Sequence, residues 1–556
     1  MDHKNKDVAD YVKKNLGNMK QVRAKGESLR WEACSFLAHR TSTFTNGNSP
    51  ISEVPLFFSN HIYDVGTTCR GIAAYMVSPS VRWFRFRTMG PDFQESDDIY
   101  GANDWLELAA SLIQNEFSNS RFYAATLLAI MDCFISGTSF EMVSDNVKDG
   151  AILFDCFDPT ECYITEDANR DVNRFFREYE ITADQAYEKW GNALPEEVIK
   201  LVTDGAGQTL CTFVHAIFPR SLALNKNGGK LIKSGKKFAS VHYSKTGDQA
   251  FNISGYDSFP LAVQRWSLKG TSPYGVSPVM EYLPSIKELN ELSKQFTTAI
   301  QLQNNPPLLV PEALKGRLSF RPGAINYGSA QLGPITPVQT QLNIQHVDAA
   351  ISRKLDMLNS MLFANLFNIL MRQDRERTAY EVQELKGEGL VLLSSIIGNM
   401  QVEKLNPIVM RTFSIMSKAG RLPKPPAELV KISLRGQVKV ELDGPLAQNM
   451  KSYHQTTGLM QGLQAVGSTM NIFPDSLANI DGDLFLRAFA TAMGMPQSVI
   501  REKEEVTKIK KEQAAQAQAQ AQQQQAVAQS QVLKNLNGVQ GTASQQMAQG
   551  LYGGGM

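Results

Sequence analysis

The strongest constraint on this chain is one hydrophobic stripe. Between Asn343 and Leu370, apolar residues recur at Ile344, Val347, Ile351, Leu355, Leu358, Leu362, Leu366 and Ile369. The steps are three and four residues throughout, which places these side chains on one face of an α-helix. A second pattern runs from Pro278 to Gln303 through Val279, Leu283, Ile286, Leu289, Leu292, Phe296 and Ile300. Ser277 and Pro278 suit a helix start, and Pro284 marks either a kink or the true first turn. At about 1.5 Å per residue, each helix would be roughly 40 Å long. The residues between them include Pro306, Pro307, Pro311, Pro322, Gly323, Tyr327, Gly333, Pro334 and Pro337. That composition cannot form a continuous helix. The centre therefore reads as two long helices with a small irregular or β module at their far end.

The rest of the chain is mixed. Residues 6–40 read as helix, with Leu16, Val22, Leu29 and Phe36 at loose helical spacing. Residues 102–136 read as two helices joined near Asn119-Ser120. Residues 150–265 carry the strand signature: β-branched and aromatic runs such as Thr212 to Phe218, bounded by turn clusters such as Asn225 to Gly229. A third helical region runs from about Thr378 to Ala419 and closes on Gly420, with Pro423, Pro425 and Pro426 beyond. A strand pair follows, Leu429 to Leu434 and Gln437 to Leu442, and residues 446–512 read as helical. Residues 513–556 are rich in Gln and Ala, and Lys534 is their only charge. Such a segment is disordered, or is a helix that needs neighbours. The fold class is α+β, mainly α.

Composition excludes several functions. The chain has 556 residues, and 56 Lys and Arg against 55 Asp and Glu leave a net charge of +1. No whole-surface polycation for nucleic acid or anionic membrane is possible, so any DNA contact must be local. Six cysteines (Cys34, Cys69, Cys133, Cys156, Cys162 and Cys211) contain no CxxC pair and form no disulfide framework. The polar opening MDHKNKDVAD reads as no secretory signal. The most apolar window, Phe122 to Phe134, is short and interrupted by Asp132, so no membrane span is expected.

Catalytic motifs are absent. There is no GxxxxGK[ST], HExxH or GxSxG, and no GxGxxG after a strand. Gly229 and Gly235 flank a Lys-rich loop, but the spacing is too long and Lys237 stands where Ser or Thr is needed. The seven histidines are scattered and read as satisfied or exposed rather than as ligands or bases. Asp167, Asn169, Asp171 and Glu178 fit four positions of a calcium loop. Val172 stands where Gly is required, so a polar β-turn is the simpler reading. Asp155, Asp158 and Glu161 read likewise as turn residues. Met371-Arg372-Gln373-Asp374-Arg375-Glu376-Arg377 leaves two readings open. It is a solvated interhelical loop with internal Arg–carboxylate pairs, or it screens phosphate at a constriction. Arg82, Arg85 and Arg87 alternate with Trp83, Phe84 and Phe86, the pattern of an edge strand with arginines outside.

Together these residues resemble one family, the portal proteins or head-to-tail connectors of short-tailed bacteriophages. The resemblance covers roughly residues 20–510. Leu29-Arg30-Trp31-Glu32, Pro79 to Phe84, Trp105-Leu106-Glu107, Ser120 to Tyr123 and Gly137-Thr138 carry it near the N-terminus. Further on it rests on Val214 to Arg220 (an H-x-x-x-P-R strand). The series from Gly255-Tyr256 through Phe259-Pro260, Arg265-Trp266, Tyr274-Gly275-Val276-Ser277-Pro278 and Leu283 to Lys287 is its most specific part, although the family usually has Gly-Arg where this chain has Gly275-Val276. Arg377 to Val382, Leu405-Asn406-Pro407 and Arg411 are also family-like.

The resemblance implies a homo-oligomeric ring, typically twelvefold, that channels double-stranded DNA without sequence specificity and has no enzymatic activity, cofactor or metal. It implies a wing (1–275), a first stem helix (276–304), a clip (305–342) and a second stem helix (343–370). A tunnel loop (371–378), a long helix with returning wing strands (379–445), a helical crown (446–512) and the Gln/Ala tail follow. Arg372, Gln373, Arg375 and Arg377 would face DNA. Pro306, Pro307, Pro311, Pro322, Gly323 and Tyr327 would lie in the clip, which docks the terminase large subunit and then the tail adaptor. Capsid and scaffold proteins are further implied partners, with the virion vertex and, during assembly, the host cytoplasm as locations. The stripe from Ile344 to Leu366, flanked by Met357, Met361, Phe363 and Phe367, is wider than one partner helix would cover. Part of it is expected to be buried between subunits. A terminase would need a phosphate loop and clustered acids. The remaining alternative is an internal scaffold or minor virion protein without a channel.

Overall fold

The computed structural model describes residues 2–39, 45–46, 49–50, 54–89, 98–146, 151–224, 231–232, 235–304, 308–309, 336–337, 344–371, 396–426, 429 and 437–442, and positions 482, 485–486, 506 and 509. The chain divides into two compact units, Met1–Met450 and Lys451–Met556. The described positions of the second unit are all helical. The crown and tail expectations otherwise lie outside the described residues.

The first unit opens with α1 (Asp2–Ala24) and α2 (Glu27–Phe36), separated by a turn at Lys25-Gly26. The single helix expected over 6–40 is therefore two. Its expected face is corrected as well: Val22 and Leu29 are exposed, and α1 buries Val8, Ala9, Val12, Leu16 and Met19. These side chains lie on one face of a five-stranded antiparallel sheet. Its strands are β4 (Cys162–Glu166), β5 (Val172–Thr182), β6 (Leu210–Pro219), β7 (Phe238–Ser244) and β8 (Gln249–Tyr256), in the order β8-β7-β6-β5-β4. Strand β6 shows why the run looked uninterruptedly apolar. Val214, Ala216 and Phe218 face α1, whereas Phe213 and Ile217 pack into clusters on the other side. A strand covered on both faces loses the polar alternation. Between β5 and β6 the chain inserts two short helices that strand periodicity did not reveal, α6 (Ala183–Trp190) and α7 (Glu196–Thr203). Thr182 and Gln185 form a capping box at the start of α6.

The second sheet has β2 (Thr138–Asn146) in the centre, flanked by β3 (Ala151–Phe157) and β9 (Leu261–Arg265). It joins the main core, where α3 (Asn60–Met76), α4 (Asp98–Ser118) and α5 (Phe122–Ser136) pack around Trp83, Phe84, Phe117, Phe122 and Phe134. The two helices expected over 102–136 are α4 and α5. Strand β1 (Phe84–Met89) pairs antiparallel with β10 (Gln437–Leu442). Residues 437–442, expected to pair with 429–434, thus pair with a strand far back in the chain. Leu429 is helical and the rest of that segment lies outside the described residues. Trp83, Phe84 and Phe86 are buried, while Arg85 and Arg87 pair with Glu441 at 3.6 and 2.9 Å. That is the arrangement of a strand with its arginines turned outward.

Candidate functional site

The element with the clearest functional geometry is the helical hairpin at the centre of the chain. Its first arm, α8 (Pro278–Asn304), contains Pro284 within its length. Its start is held by a close backbone crossing. Gly137 has φ +83°, and a Cβ on it would lie 2.3 Å from the carbonyl oxygen of Gly275. A Cβ on Gly275 would lie 2.2 Å from that of Gly137. Only glycine fits at either position. The Gly275 N–H donates to Thr138 Oγ1 at 2.9 Å, and the Trp266 N–H to the Gly137 carbonyl at 3.0 Å. Ser277 Oγ donates to the Ile135 carbonyl at 2.8 Å and accepts from the Met280 N–H at 2.9 Å, capping the helix. Tyr274 Oη accepts from the Ile164 N–H at 3.1 Å, and the Arg30 guanidinium lies over its ring at 4.7 Å. The residues that most resembled a family thus join both sheets to the hairpin.

The hairpin is buried at its base and half-covered at its tip. In α8, Val279, Met280, Leu283, Ile286, Leu289 and Asn290 are buried. Beyond Asn290 none of its residues is, and Leu292, Phe296 and Ile300 are all partly exposed. The returning arm, α9 (Ile344–Met361), mirrors this. Val347, Ile351 and Leu355 are partly exposed, Leu358 and Leu362 are buried, and Leu366 is partly exposed. The side chain of Ile344 lies outside the described residues. Met357 is 56% exposed on the outer face. Lys354 pairs with Glu288 at 2.7 Å across the two arms, and Lys287 with Glu32 at 2.5 Å beneath them. Asn290 fixes the base by donating to the Pro55 carbonyl at 3.1 Å and accepting from the Phe57 N–H at 2.8 Å.

The stripe that predicted one helix to residue 370 is broken. Phe363 has φ +60°, and α10 (Ala364–Met371) continues in a new direction from α9. At about 1.5 Å per residue, the 18 residues of α9 span about 27 Å rather than 40 Å. The physical cause is packing against α3. Thr68 Oγ1 donates to the freed Leu362 carbonyl at 2.8 Å, and Phe367 lies where a Cβ on Gly71 would be 2.2 Å from its ring. Leu362 and Phe367 are buried at the break, and burying an apolar side chain of that size is worth more than one net backbone hydrogen bond.

After the segment 372–395 the chain returns into the core as a helix that contains a π-helical turn, Gln401–Leu405, followed by α11 (Asn406–Lys418). Pro407 accounts for the turn. Proline has no N–H, and its ring would strike the carbonyl four residues earlier, so the ladder widens there. Within that turn two neighbouring charges enter the protein. Glu403 accepts from the Arg265 backbone N–H at 2.7 Å and from its Nε at 2.9 Å, and Arg265 also pairs with Glu166. Lys404 Nζ lies 2.9 Å from Glu141, and each of these two residues is 1% exposed. Thr126 Oγ1 donates to Glu141 at 3.1 Å, and Lys404 to the Thr126 carbonyl at 3.3 Å. Arg411 Nε donates to the Val143 carbonyl at 2.6 Å. Sequence reading missed both ion pairs. Their signal was an adjacent Glu-Lys between the apolar residues Met400, Leu405, Ile408 and Val409.

Arg372, Gln373, Arg375 and Arg377 lie outside the described residues, as do Pro306, Pro307, Pro311, Pro322, Gly323 and Tyr327. Of segment 305–342, Leu308–Leu309 and Thr336–Pro337 are described, and they pair antiparallel. The calcium-like sequence is a turn. Asp167 Oδ1 accepts from the Asn169 and Asp171 N–H groups at 2.9 and 3.0 Å, and Glu178 pairs with Lys20 and Lys245. Asp158 caps Thr160, and Glu161 pairs with Arg177 at 2.8 Å. Two histidines expected to be scattered are stacked. The His215 and His242 rings lie 4.2 Å apart, with His215 Nε2 at 2.9 Å from Ser240 Oγ. Burial, then the Lys189 charge, lowers the His242 pKa to about 4. Burial and His242 hold His215 well below its ordinary value. Among the described residues no cluster of three His, Cys, Asp or Glu could hold a metal, and no helix is long and apolar enough to cross a membrane.

The Gly137–Gly275 crossing thus ties the three-stranded sheet to a helical hairpin whose outer half keeps its apolar residues partly exposed. Residues 9–500 match the family model described as bacteriophage head to tail connecting protein. The chain is 28% identical over 541 residues to the portal protein of Salmonella phage epsilon15, covering 95% of each chain. It is 29% identical over 454 residues to the probable portal protein of Bordetella phage BPP-1, covering 80% of each. The chain belongs to the bacteriophage head-to-tail connecting protein family.

Proposed function

We propose that this chain is a portal subunit that assembles into a closed ring at one capsid vertex, through which double-stranded DNA is packaged and ejected. Family membership supports this reading, and the observation that carries it to this chain is the hairpin. Its base is buried in the subunit, whereas the apolar stripe of its outer half is incompletely covered. In a closed ring each subunit offers one face to its neighbour's other face. Side-by-side hairpins would then cover Val347, Ile351 and Leu355 and make the stem. Residues 305–342 would be the clip, which docks the terminase motor and later the tail adaptor. Residues 371–378 would be the tunnel loop, with Arg372, Gln373, Arg375 and Arg377 toward DNA. The wing and crown would meet capsid and scaffold proteins.

A near-neutral conduit is mechanically sensible. DNA must slide both ways, and each phosphate firmly neutralised adds to the salt-dependent grip. A few arginines would guide the duplex without braking it. Class-averaged electron micrographs of the purified protein should show rings, twelvefold by family expectation. Only monomers under assembly conditions would overturn the reading. Replacing Arg372, Arg375 and Arg377 together by Ala should slow packaging or weaken DNA retention in rings that still assemble. Unchanged packaging and retention would remove the loop assignment while leaving the ring.

A further inference from the structure

A cavity of about 500 Å³ opens between the N-terminal end of α3 and the flank of α9 beside it. Ser59, Asn60, Tyr63 and Asp64 line it from α3, and Ser352, Leu355, Asp356 and Asn359 from α9. It carries two carboxylates, and none of its lining residues is basic. Asp64 is only 5% exposed, and its Oδ2 has no hydrogen-bond partner, nor does Asn359 Oδ1. Burial alone raises the Asp64 pKa to about 6. An unpaired buried carboxylate is costly unless a cation reaches it.

The shape and lining select among cations. The volume is far more than a bare metal ion needs, and Leu355 and the 63%-exposed ring of Tyr63 add apolar and aromatic surface. Aliphatic wall, aromatic face, carboxylates and an amide oxygen together match a guanidinium on its hydrocarbon stem. On the outer face of α9, Arg353 is exposed and makes no ion pair among the described residues. By contrast its neighbour Lys354 is held by Glu288. Arg353 and Asp356 are three residues apart, about 4.5 Å along the helix axis. Rotation about a ring axis parallel to the stem preserves height. Each cavity would therefore meet an arginine at nearly its own level.

We propose that the cavity receives Arg353 of the partner subunit, paired with Asp64 and Asp356, as a lock between adjacent stems. This rests on the ring reading above. The test uses the full-length protein and counts rings against free subunits by mass photometry, with negative-stain images as a check. Asp356→Arg and Arg353→Asp should each reduce the ring fraction about tenfold or more, Asp64→Asn less. The double charge swap R353D/D356R should recover most of the loss. Both substituted residues are exposed, so the thermal unfolding of free subunits should match that of wild type. Wild-type assembly in single variants would overturn the lock while leaving the ring. So would a swap no better than either single variant. Loss of wild-type assembly in EDTA, with normal assembly of Arg353→Asp in Mg²⁺, would assign the cavity to a metal ion instead. If wild type itself makes no rings, the ring reading fails first.

Discussion

The five-stranded sheet and the outer hairpin use similar residues to opposite ends. Strand β6 places Phe213, Val214, Ala216, Ile217 and Phe218 at zero exposure, with partners from the same chain on both faces. The outer hairpin carries an equally regular apolar series, Val347, Ile351 and Leu355 against Leu292, Phe296 and Ile300, and buries none of it fully. Hydrophobic pattern alone does not distinguish them. The difference lies in who supplies the cover. The sheet completes its own core, whereas the hairpin leaves apolar surface partly exposed, which the proposed ring would cover. Stability of the isolated subunit should therefore reside in the first region, and assembly in the second.

The sharpest way to break that comparison is at the root of the returning helix. Lys404→Met removes the cation from a fully buried pair and leaves Glu141 uncompensated. It should cost about 3–5 kcal/mol in denaturant unfolding of free subunits. The double variant K404M/E141L should regain most of it. A loss below about 1 kcal/mol in the single variant would show that the clamp is not structural. Next in size is Leu362→Ala, which empties a buried site at the helix break and should cost about 2–5 kcal/mol. Ile351→Ala on the same stripe should cost free subunits under about 1 kcal/mol yet lower the ring fraction. Equal effects on subunit unfolding would erase the distinction between base and tip.

A smaller, pH-dependent effect separates the two regions further. His215 and His242 have pKa values below the ordinary histidine value in the folded sheet, His242 near 4. The unfolded chain therefore binds more protons between about pH 6.5 and 4. Their contribution is intact above pH 6.5 and is lost as pH falls toward 4. Subunit unfolding followed at pH 7 and 4.5 should show this loss, and His242→Phe should reduce it. Asp64 works in the opposite direction. Its folded pKa is raised toward 6, so free subunits gain stability as pH falls from about 6 toward 4. Asp64→Asn should remove that gain. The smallest effect belongs to the surface pair of Arg87 and Glu441. Glu441→Gln should change unfolding by about 0–1 kcal/mol.

Much of this architecture was legible. Helical spacing located α8 and α9, the proline cluster separated them, and strand composition marked 150–265, which holds every strand of the two sheets except β2. The break at Phe363 was not legible, because the three- and four-residue steps run straight through it from Leu358 to Leu366. Only contact with Gly71 and Thr68 of α3 selects it. The pairing of β10 with β1 was equally hidden, since a strand's partner is not written in the strand. The face of α1 was misread because loose spacing allowed two stripes, and the sheet selected Val12 and Leu16 over Val22.

Local composition and period were enough for a near-neutral, motif-poor chain with two central helices and a strand-rich stretch over 150–265, because these properties do not depend on distant residues. Tertiary structure alone decided which apolar residues are covered and which charges are paired. Glu403 and Lys404 became clamps when a π-helical turn faced them toward Arg265 and Glu141. Asp64 became an unpaired buried carboxylate when α9 packed beside α3. Burial and pairing depend on residues hundreds of positions apart, and no local period encodes that distance.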